Sequence, residues 1–230
     1  SMISKEKIDV LYNGEEQDFA YTFDDLNARF RVNAFIAQGV PNLVMRYLPS
    51  EILTFEQLGL PPVMHQFSQL MQGFVLVTGP TGSGKSTTLA SVINEINHTR
   101  DLKIVTIEDP IEFIYKPDKS IITQREVGYD TQSFTGALES SFRQDIDVIL
   151  LGEMRDLDTM KVAVTAAETG HLVFSTLHTN SAAQSIDRII DTFPTYQQGQ
   201  VRSQISNSLQ AIVSQRLIPT IKGDLTPALE

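Results

Sequence analysis

The sequence predicts an α/β protein in which a mainly parallel β-sheet is covered by helices on both faces. From Val63 onward, apolar runs of strand length alternate with helix-favouring runs, which is typical of βαβ units. A glycine-rich phosphate-binding signature joins one strand to the next helix, and a later apolar strand ends in Gly152-Glu153. Because ligands of such sheets bind at the carboxyl ends of the strands, we expect both motifs at one edge.

Residues 1–50 are expected to form a small β-rich domain without a catalytic motif. The runs 8–12 and 19–23 are typical of short strands separated by a turn. Residues 29–35 alternate polar and apolar side chains as a half-buried strand does, and 43–48 is expected to be its hairpin partner.

Three arginines, Arg29, Arg31 and Arg46, lie on these predicted strands. Taken alone, they are ordinary charges on a solvated strand face. A binding role for them would require a phosphate nearby.

Residues 51–62 are expected to form a linker with one short helix over 54–58, because Pro49-Ser50 and Pro61-Pro62 interrupt regular structure. Residues 63–230 are expected to form the α/β domain. Its predicted strands cover 74–77, 103–107, 121–124, 147–151 and 172–176. Its predicted helices cover 63–72, 86–98, 133–143, 157–169, 182–191 and 196–213.

The stretch 79–86 matches the P-loop, a glycine-rich loop that ends in Gly-Lys-Ser. Its flanking strand and helix distinguish it from a glycine-rich turn with an incidental lysine. Glycines let successive N–H groups point at phosphate oxygens, and the helix N-terminus adds partial positive charge. Lys85 is expected to neutralise the β- and γ-phosphates, and the Ser86 hydroxyl to bind Mg²⁺. The expected nucleotide contacts are Gly79, Thr81, Gly82, Ser83, Gly84, Lys85, Ser86 and Thr87.

The apolar run 148–151 leads into Gly152-Glu153, the pattern of a Walker B element. A carboxylate at this position can hold Mg²⁺ or orient the attacking water. Asp147 opens the strand and is too far from its end to replace it. We therefore expect Glu153, together with Ser86, at the metal rather than as a plain surface charge.

A second acidic cluster, Glu108-Asp109-Pro110-Ile111-Glu112, follows the strand 103–107. Pro110 disfavours a helix just before it, so the segment is expected to be a loop that presents three carboxylates. One of them can orient the water that attacks a γ-phosphate, or accept its proton. Spacing alone does not choose among Glu108, Asp109 and Glu112.

His171 and His178 bracket the strand 172–176. Their separation is too long for shared ligation, so zinc is not expected. A lone histidine is more often a structural hydrogen-bonder, but His178 follows the carboxyl end of the strand, where sensing a γ-phosphate is an equal alternative. His65 and His98 are expected at the surface.

Composition excludes several classes of protein. The chain has no cysteine, which excludes disulfides, thiolate metal sites and a cysteine nucleophile. No apolar run approaches the about 20 residues that span a bilayer, and the first residues are not a signal peptide. A net charge of −10 disfavours broad nucleic-acid binding. The expectation is a cytoplasmic enzyme without a nucleic-acid partner.

Five ordered motifs resemble those of the secretion ATPase superfamily, most closely its type IV pilus retraction (PilT-like) branch. They are the P-loop GPTGSGKSTTLA, the acidic box TIEDPIEF, the segment 123–128, the Walker B stretch VILLGEMRD and the histidine box TAAETGHLVFSTLHTNSA. The resemblance runs from about Arg29 to the C-terminus, and so covers most of the chain.

The resemblance implies a RecA-like P-loop ATPase core, preceded by part of a small PAS-like α+β N-terminal domain. It implies a homohexamer that binds ATP and Mg²⁺ between subunits. It also implies a peripheral position on the inner face of the cytoplasmic membrane, with an inner-membrane pilus platform protein as partner.

Family roles transfer to matching positions of this chain. The catalytic base falls on Glu112, and the Walker B glutamate on Glu153. The histidine-box residues, which the resemblance implies as nucleotide contacts, fall on His171 and His178, and His178 is also expected to act in catalysis. Arginines that reach the γ-phosphate fall on Arg31 and Arg46, with Arg29 a weaker match.

Three departures from the family pattern are visible. Relatives often have a proline before the aspartate in the segment 143–147. Assembly and type II secretion ATPases usually carry a four-cysteine metal motif after the segment here at 212–217, and its absence favours retraction over extension. The resemblance also implies that the N-terminal domain and the C-terminal end of the core are cut short.

The leading hypothesis is a mechanochemical ATPase whose hydrolysis step releases a rigid-body domain rotation. Alternatives are a type IV pilus assembly or type II secretion ATPase, a nucleotide-dependent scaffold with negligible turnover, and a RecA-like DNA motor, which the acidic charge disfavours.

Overall fold

A computed structural model describes residues 5–23 and 28–230, which fold as two compact units. The first unit comprises the described residues of Ser1–Glu51 together with Asp109–Ile114. The second comprises Ile52–Glu108 and Tyr115–Glu230. A short segment from the middle of the chain therefore folds with the N-terminal residues.

The first unit is a three-stranded antiparallel sheet with one helix. Helix α1 (Lys5–Tyr12) is followed by β1 (Gln17–Phe23), β2 (Ala28–Ala37) and β3 (Val40–Leu48). Strand β2 is central and pairs with both neighbours. The two residues between β2 and β3 both have positive φ, the turn geometry that matches the twist of a hairpin.

The prediction of a strand over 8–12 is wrong, because these residues belong to α1. Leu11 is buried with Phe19, Val32 and Ala34, so the helix covers the apolar face of the sheet. A short apolar run does not distinguish a strand from a helix by its period, and packing against the sheet decides the outcome.

The second unit is built on a seven-stranded sheet. Its strands are β4 (Gly73–Thr78), β5 (Lys103–Glu108), β6 (Ile121–Glu126), β7 (Val148–Leu151), β8 (Leu172–Leu177), β9 (Leu209–Pro219) and β10 (Leu225–Leu229). Its helices are α2 (Met64–Gln69), α3 (Lys85–Thr99), α4 (Phe134–Ser141), α5 (Leu157–Glu168), α6 (Ala182–Thr192) and α7 (Thr195–Ser208). The strand order is β10-β9-β4-β8-β7-β5-β6, and every pair is parallel except β9 with β10. The predicted mainly parallel sheet is confirmed.

Helices cover both faces of this sheet. On one face, Phe74 and Leu76 of β4 belong to a core that includes residues of α4, α5, α6 and α7. Val75 and Val77 point to the opposite face because side chains alternate along a strand, and α3 contacts β4 and β8 there. All residues of β4 and β8 are buried, as expected for parallel strands covered on both sides. The strand ends are therefore the natural place for a ligand site.

Two further local predictions are wrong. Residues 55–59 form a turn instead of the predicted helix over 54–58, and the positive φ of Gly59 ends it after one turn. Residues 209–213 begin β9 instead of extending the preceding helix, which ends at Ser208. Parallel pairing of β9 with β4 overrides a weak helical period in this segment.

In the part of the chain that the structure describes, no helix combines the length and apolar character needed to cross a lipid membrane.

His65, at the start of α2, lies between two carboxylates. Its Nδ1 is 2.9 Å from Glu95 Oε1, and its Nε2 is 3.1 Å from Glu56 Oε1. The hydrogen bond to Glu95 is the main reason that the pKa of His65 is raised above its ordinary value of 6.5. His65 is thus a partly exposed residue with fixed acidic partners.

Because the pKa of His65 is raised in the folded chain, the direction in which stability changes with pH can be predicted. Protonated His65 stabilises the folded chain below pH 6.5, and this contribution is lost as the pH rises through the folded-state pKa. We expect the melting temperature of the native chain to fall, relative to that of His65→Gln, as the pH rises through this range. Calorimetry of both proteins measures the difference, and an NMR titration of the ring gives the pKa directly. A ring pKa at or below 6.5 would contradict the prediction.

Candidate active site

The phosphate-binding loop connects β4 to α3 at the carboxyl edge of the sheet. Gly79 and Gly84 have φ values of 144° and 85°, which only glycine adopts readily. A Cβ on Gly79 would lie 2.2 Å from the backbone oxygen of Gln215, so β9 passes too close to admit a side chain. The loop is therefore a tight turn braced by the neighbouring strand.

Lys85, the first residue of α3, directs its ammonium group back to the loop. Its Nζ donates hydrogen bonds to the carbonyl oxygens of Gly79 and Pro80, both at 2.9 Å, and the residue is 8% exposed. A cation held within a loop at a helix N-terminus is suited to bind the phosphates of a nucleotide.

The remaining loop residues fit a polyphosphate ligand. Ser83 is buried, and its Oγ has no hydrogen-bond partner among the described residues. Buried hydroxyl groups normally have a partner, which a phosphate oxygen would supply. Thr81 and Gly82 lie at the exposed tip, Ser86 is exposed and Thr87 is half-buried.

A pocket of about 360 Å³ opens beside the tip of the loop. It is lined by residues 80–83 and by Asn180, Arg216 and Leu217. Its volume is in the range of small-molecule sites. Sequence reasoning missed these last three residues, because only strand pairing brings them to the loop: Asn180 follows β8, and Arg216 and Leu217 lie on β9, both of which pair with β4.

Glu153 follows β7 at the same edge of the sheet. Its side chain is 17% exposed and contacts two basic side chains, Arg155 through Nη2 and His178 through Nε2 at 3.5 Å. The N–H of Gly152 donates to the carbonyl oxygen of Ile107 at 2.9 Å, which fixes the turn after β7. Arg155 was not among the site residues predicted from the sequence. The signal that could have found it is its position two residues after Glu153, where a cation can serve as the counter-ion of that carboxylate.

His171 and His178 lie at opposite ends of β8. The Nδ1 of His171 is 3.1 Å from the carbonyl oxygen of Ala166, and its ring packs against Phe142 with centroids 5.4 Å apart. The six residues of β8 span about 20 Å. The structure therefore brings His178 to Glu153 and leaves His171 at the far edge of the sheet.

The three acidic candidates have different surroundings. Glu108, at the end of β5 in the second unit, is buried, and its Oε1 accepts a hydrogen bond from Thr106 Oγ1 at 2.6 Å. Burial, with a smaller contribution from the Glu108 carboxylate, raises the pKa of Tyr115. Asp109 and Glu112 belong to the first unit, where the Glu112 side chain is 32% exposed. Glu112 is thus the more accessible of the two glutamates.

The sheet of the first unit carries its arginines on one face. Arg31 of β2 is directly opposite Arg46 of β3, and Arg29 follows the same alternation. Like charges opposite each other destabilise a sheet, so this pair favours a bound anion. Glu112 Oε1 lies 3.9 Å from Arg31 Nη1, and Arg29 Nη2 donates to the carbonyl oxygen of Ile111 at 3.0 Å.

The predicted metal ligands are Ser86 and Glu153. Within residues 5–23 and 28–230, no group of three or more His, Cys, Asp or Glu side chains could hold a metal ion. Mg²⁺ commonly binds proteins through one or two side chains together with substrate phosphates and water. A hydroxyl and a carboxylate at one edge of the sheet fit that mode of binding.

These features define the class of protein. A parallel sheet, a P-loop between a buried strand and a helix, and a carboxylate after a second strand are those of a P-loop nucleotide-binding fold. A family model described as "Type II/IV secretion system protein" matches residues 15–224. The chain belongs to this family, and the resemblance to the secretion ATPases is confirmed.

Individual relatives are similar over most of the chain. The type IV pilus retractation ATPase PilT of Pseudomonas aeruginosa is 52% identical over 215 residues, which cover 94% of this chain and 62% of that protein. A twitching motility protein of Neisseria gonorrhoeae is 53% identical over 209 residues, covering 91% and 56%. A crystal structure of the pilus retraction motor PilT with bound ADP superposes with a TM-score of 0.95 at 50% identity, covering all of this chain and 66% of that one. This match confirms the predicted fold class, and the chain spans about three-fifths of the length of these curated relatives.

Proposed function

We propose that the chain is the ATP-hydrolysing part of a motor that retracts type IV pili. The observation that carries the proposal is the P-loop, in which Lys85 is held against the loop carbonyls beside the Ser83 hydroxyl, which has no partner among residues 5–23 and 28–230. Support comes from relatives with more than half of their aligned residues identical, which are named for pilus retraction and twitching motility.

The second unit supplies the nucleotide site of this proposal. The loop amides and Lys85 bind the β- and γ-phosphates, with Thr81 and Ser83 alongside them. Ser86 and Glu153 hold Mg²⁺, which when bound neutralises charge on the phosphates. His178 contacts the carboxylate of Glu153 and competes with Mg²⁺ for it. The contact of His178 therefore responds to whether the metal is bound. We propose no direct contact between His171 and nucleotide bound to the same chain, given its place at the other edge.

The first unit supplies two cations and a base. Arg31 and Arg46 bind phosphate oxygens, which relieves their mutual repulsion across the strand pair. Glu112 accepts the proton of the attacking water. These three roles follow the family pattern, and the 3.9 Å approach of Arg31 to Glu112 supports a shared function.

We further propose a ring of six copies that works at the cytoplasmic face of the inner membrane. Its partner there is the platform protein of the pilus machine. The net charge of −10 makes nucleic acid an unfavourable alternative partner.

The first test is ATP turnover as a function of protein concentration, with the mass measured by light scattering in the same samples. We propose that ATP binds between neighbouring copies in the ring, and we therefore expect turnover per chain to rise as rings form. Lys85→Ala is the control, and it should lose both ATP binding and turnover. Tight ATP binding without turnover in fully assembled rings would contradict the proposal and favour a scaffold.

Retraction itself is tested in a piliated bacterium. A strain whose own retraction ATPase carries this segment in place of the matching one should retain twitching motility. A chimera that is made at the native level but leaves the cells piliated and unable to twitch would contradict the assignment to retraction.

A further inference from the structure

Strand β9 carries a buried carboxamide that links the phosphate-binding loop to α3. Gln215 is 2% exposed, and its Nε2 donates to the carbonyl oxygen of Ser83 at 2.7 Å. Its Oε1 accepts from Thr88 Oγ1 at 2.8 Å. A carbonyl oxygen only accepts hydrogen bonds, so the amide nitrogen must face Ser83 and the orientation of the carboxamide is fixed.

The same residue touches both ends of the loop. Its backbone oxygen lies against Gly79, where a Cβ would come within 2.2 Å. Its Nε2 lies against Gly84, where a Cβ would come within 2.9 Å. The loop is thus held between β9 and α3 by a single residue, whose neighbour in sequence, Ser214, pairs with Thr78 at the end of β4.

This bond controls the direction of a loop amide. The carbonyl of Ser83 and the N–H of Gly84 share one planar trans peptide group, in which they point in opposite directions. Holding the carbonyl toward Gln215 therefore turns the N–H of Gly84 away from β9. Phosphate affinity in such loops depends on the alignment of these N–H groups.

We propose that Gln215 is a positioning residue that fixes the peptide plane between Ser83 and Gly84 for phosphate binding. This inference rests on the proposed nucleotide-binding function. Without the side chain, the plane is free to rotate, and the amide must be ordered again each time a phosphate binds.

The test compares two variants of the full chain that remove different hydrogen bonds. Gln215→Met keeps the length of the side chain but loses both bonds, whereas Thr88→Val loses only the bond to α3. ADP affinity is measured by calorimetry with Mg²⁺ present, well below the melting temperature of each protein. We expect Gln215→Met to weaken ADP binding about 10-fold, and Thr88→Val to change it less than about 3-fold, because it leaves the bond to Ser83 intact.

A spectroscopic readout separates positioning from general stability. With ¹⁵N-glycine labelling, the amide signal of Gly84 should shift on adding ADP in the native chain, and should respond more weakly in Gln215→Met than in Thr88→Val. Losses of affinity that merely follow the losses of melting temperature in both variants would overturn the proposal.

Two other outcomes are also decisive. If Gln215→Met does not fold, Gln215→Leu carries the same comparison, since it also removes both hydrogen bonds. Unchanged ADP affinity in that variant overturns the inference. Failure of the native chain to bind ADP would overturn the proposed function and this inference with it, whereas native binding with an unaffected Gln215→Met overturns the inference alone.

Discussion

Replacing Glu112 by glutamine is expected to lower ATP turnover at least about 100-fold while leaving ATP affinity within a few-fold of the native value. The reason is that Glu112, a partly exposed carboxylate of the acidic cluster, has the proposed proton-accepting role, whereas the phosphates are proposed to bind mainly at the P-loop. Phosphate release measured at saturating ATP gives the turnover, and equilibrium binding of ATP gives the affinity.

Glu108→Gln is the matched control for Glu112→Gln. Glu108 is buried and accepts a short hydrogen bond from Thr106, so its replacement should act mainly on the melting temperature. Loss of turnover in Glu108→Gln with an active Glu112→Gln would transfer the role of base to Glu108.

The second large effect is expected for Gly79→Ala, which should abolish ADP binding and lower the free energy of unfolding by on the order of 3 kcal/mol. Gly79 combines a φ of 144° with a backbone oxygen 2.2 Å from the position of a Cβ. Since that oxygen belongs to β9, the loop or the strand must move. Denaturant unfolding and calorimetric ADP titration measure the two losses.

Gly223→Ala is the matched control. Gly223 also has a positive φ, 89°, but a Cβ there would have no atom within 4 Å. It should lose only about 1 kcal/mol of stability and bind ADP normally. Equal losses in the two variants would mean that backbone strain, not the contact with β9, accounts for the effect at Gly79.

The parts of this protein that were predictable from sequence are those with a regular period or a fixed spacing. Buried strands such as Val148–Leu151 are continuous apolar runs, and the P-loop is a local pattern whose geometry depends on its own glycines. The alternation of Arg29 and Arg31 on one strand face was equally visible. Local signals were sufficient where local geometry determines the structure.

What was missed depends on contacts between distant parts of the chain. The short run 8–12 has no decisive period, and its helix forms because Leu11 packs on the sheet. Gln215 is remote in sequence from Ser83, and only the parallel pairing of β9 with β4 brings them together. The opposition of Arg31 and Arg46 likewise depends on a strand register that is set by a two-residue turn.

The discontinuous make-up of the first unit has a consequence for synthesis on the ribosome. Chains emerge from the N-terminus, and Asp109–Ile114 is separated from Glu51 by the whole of Ile52–Glu108. At typical elongation rates of about 5–20 residues per second, the arginine-bearing sheet waits on the order of several seconds for the segment that brings Ile111 to Arg29 and Glu112 to Arg31. By then β4, α3 and β5 have already been translated, so the first unit is completed only after part of the second unit has been made.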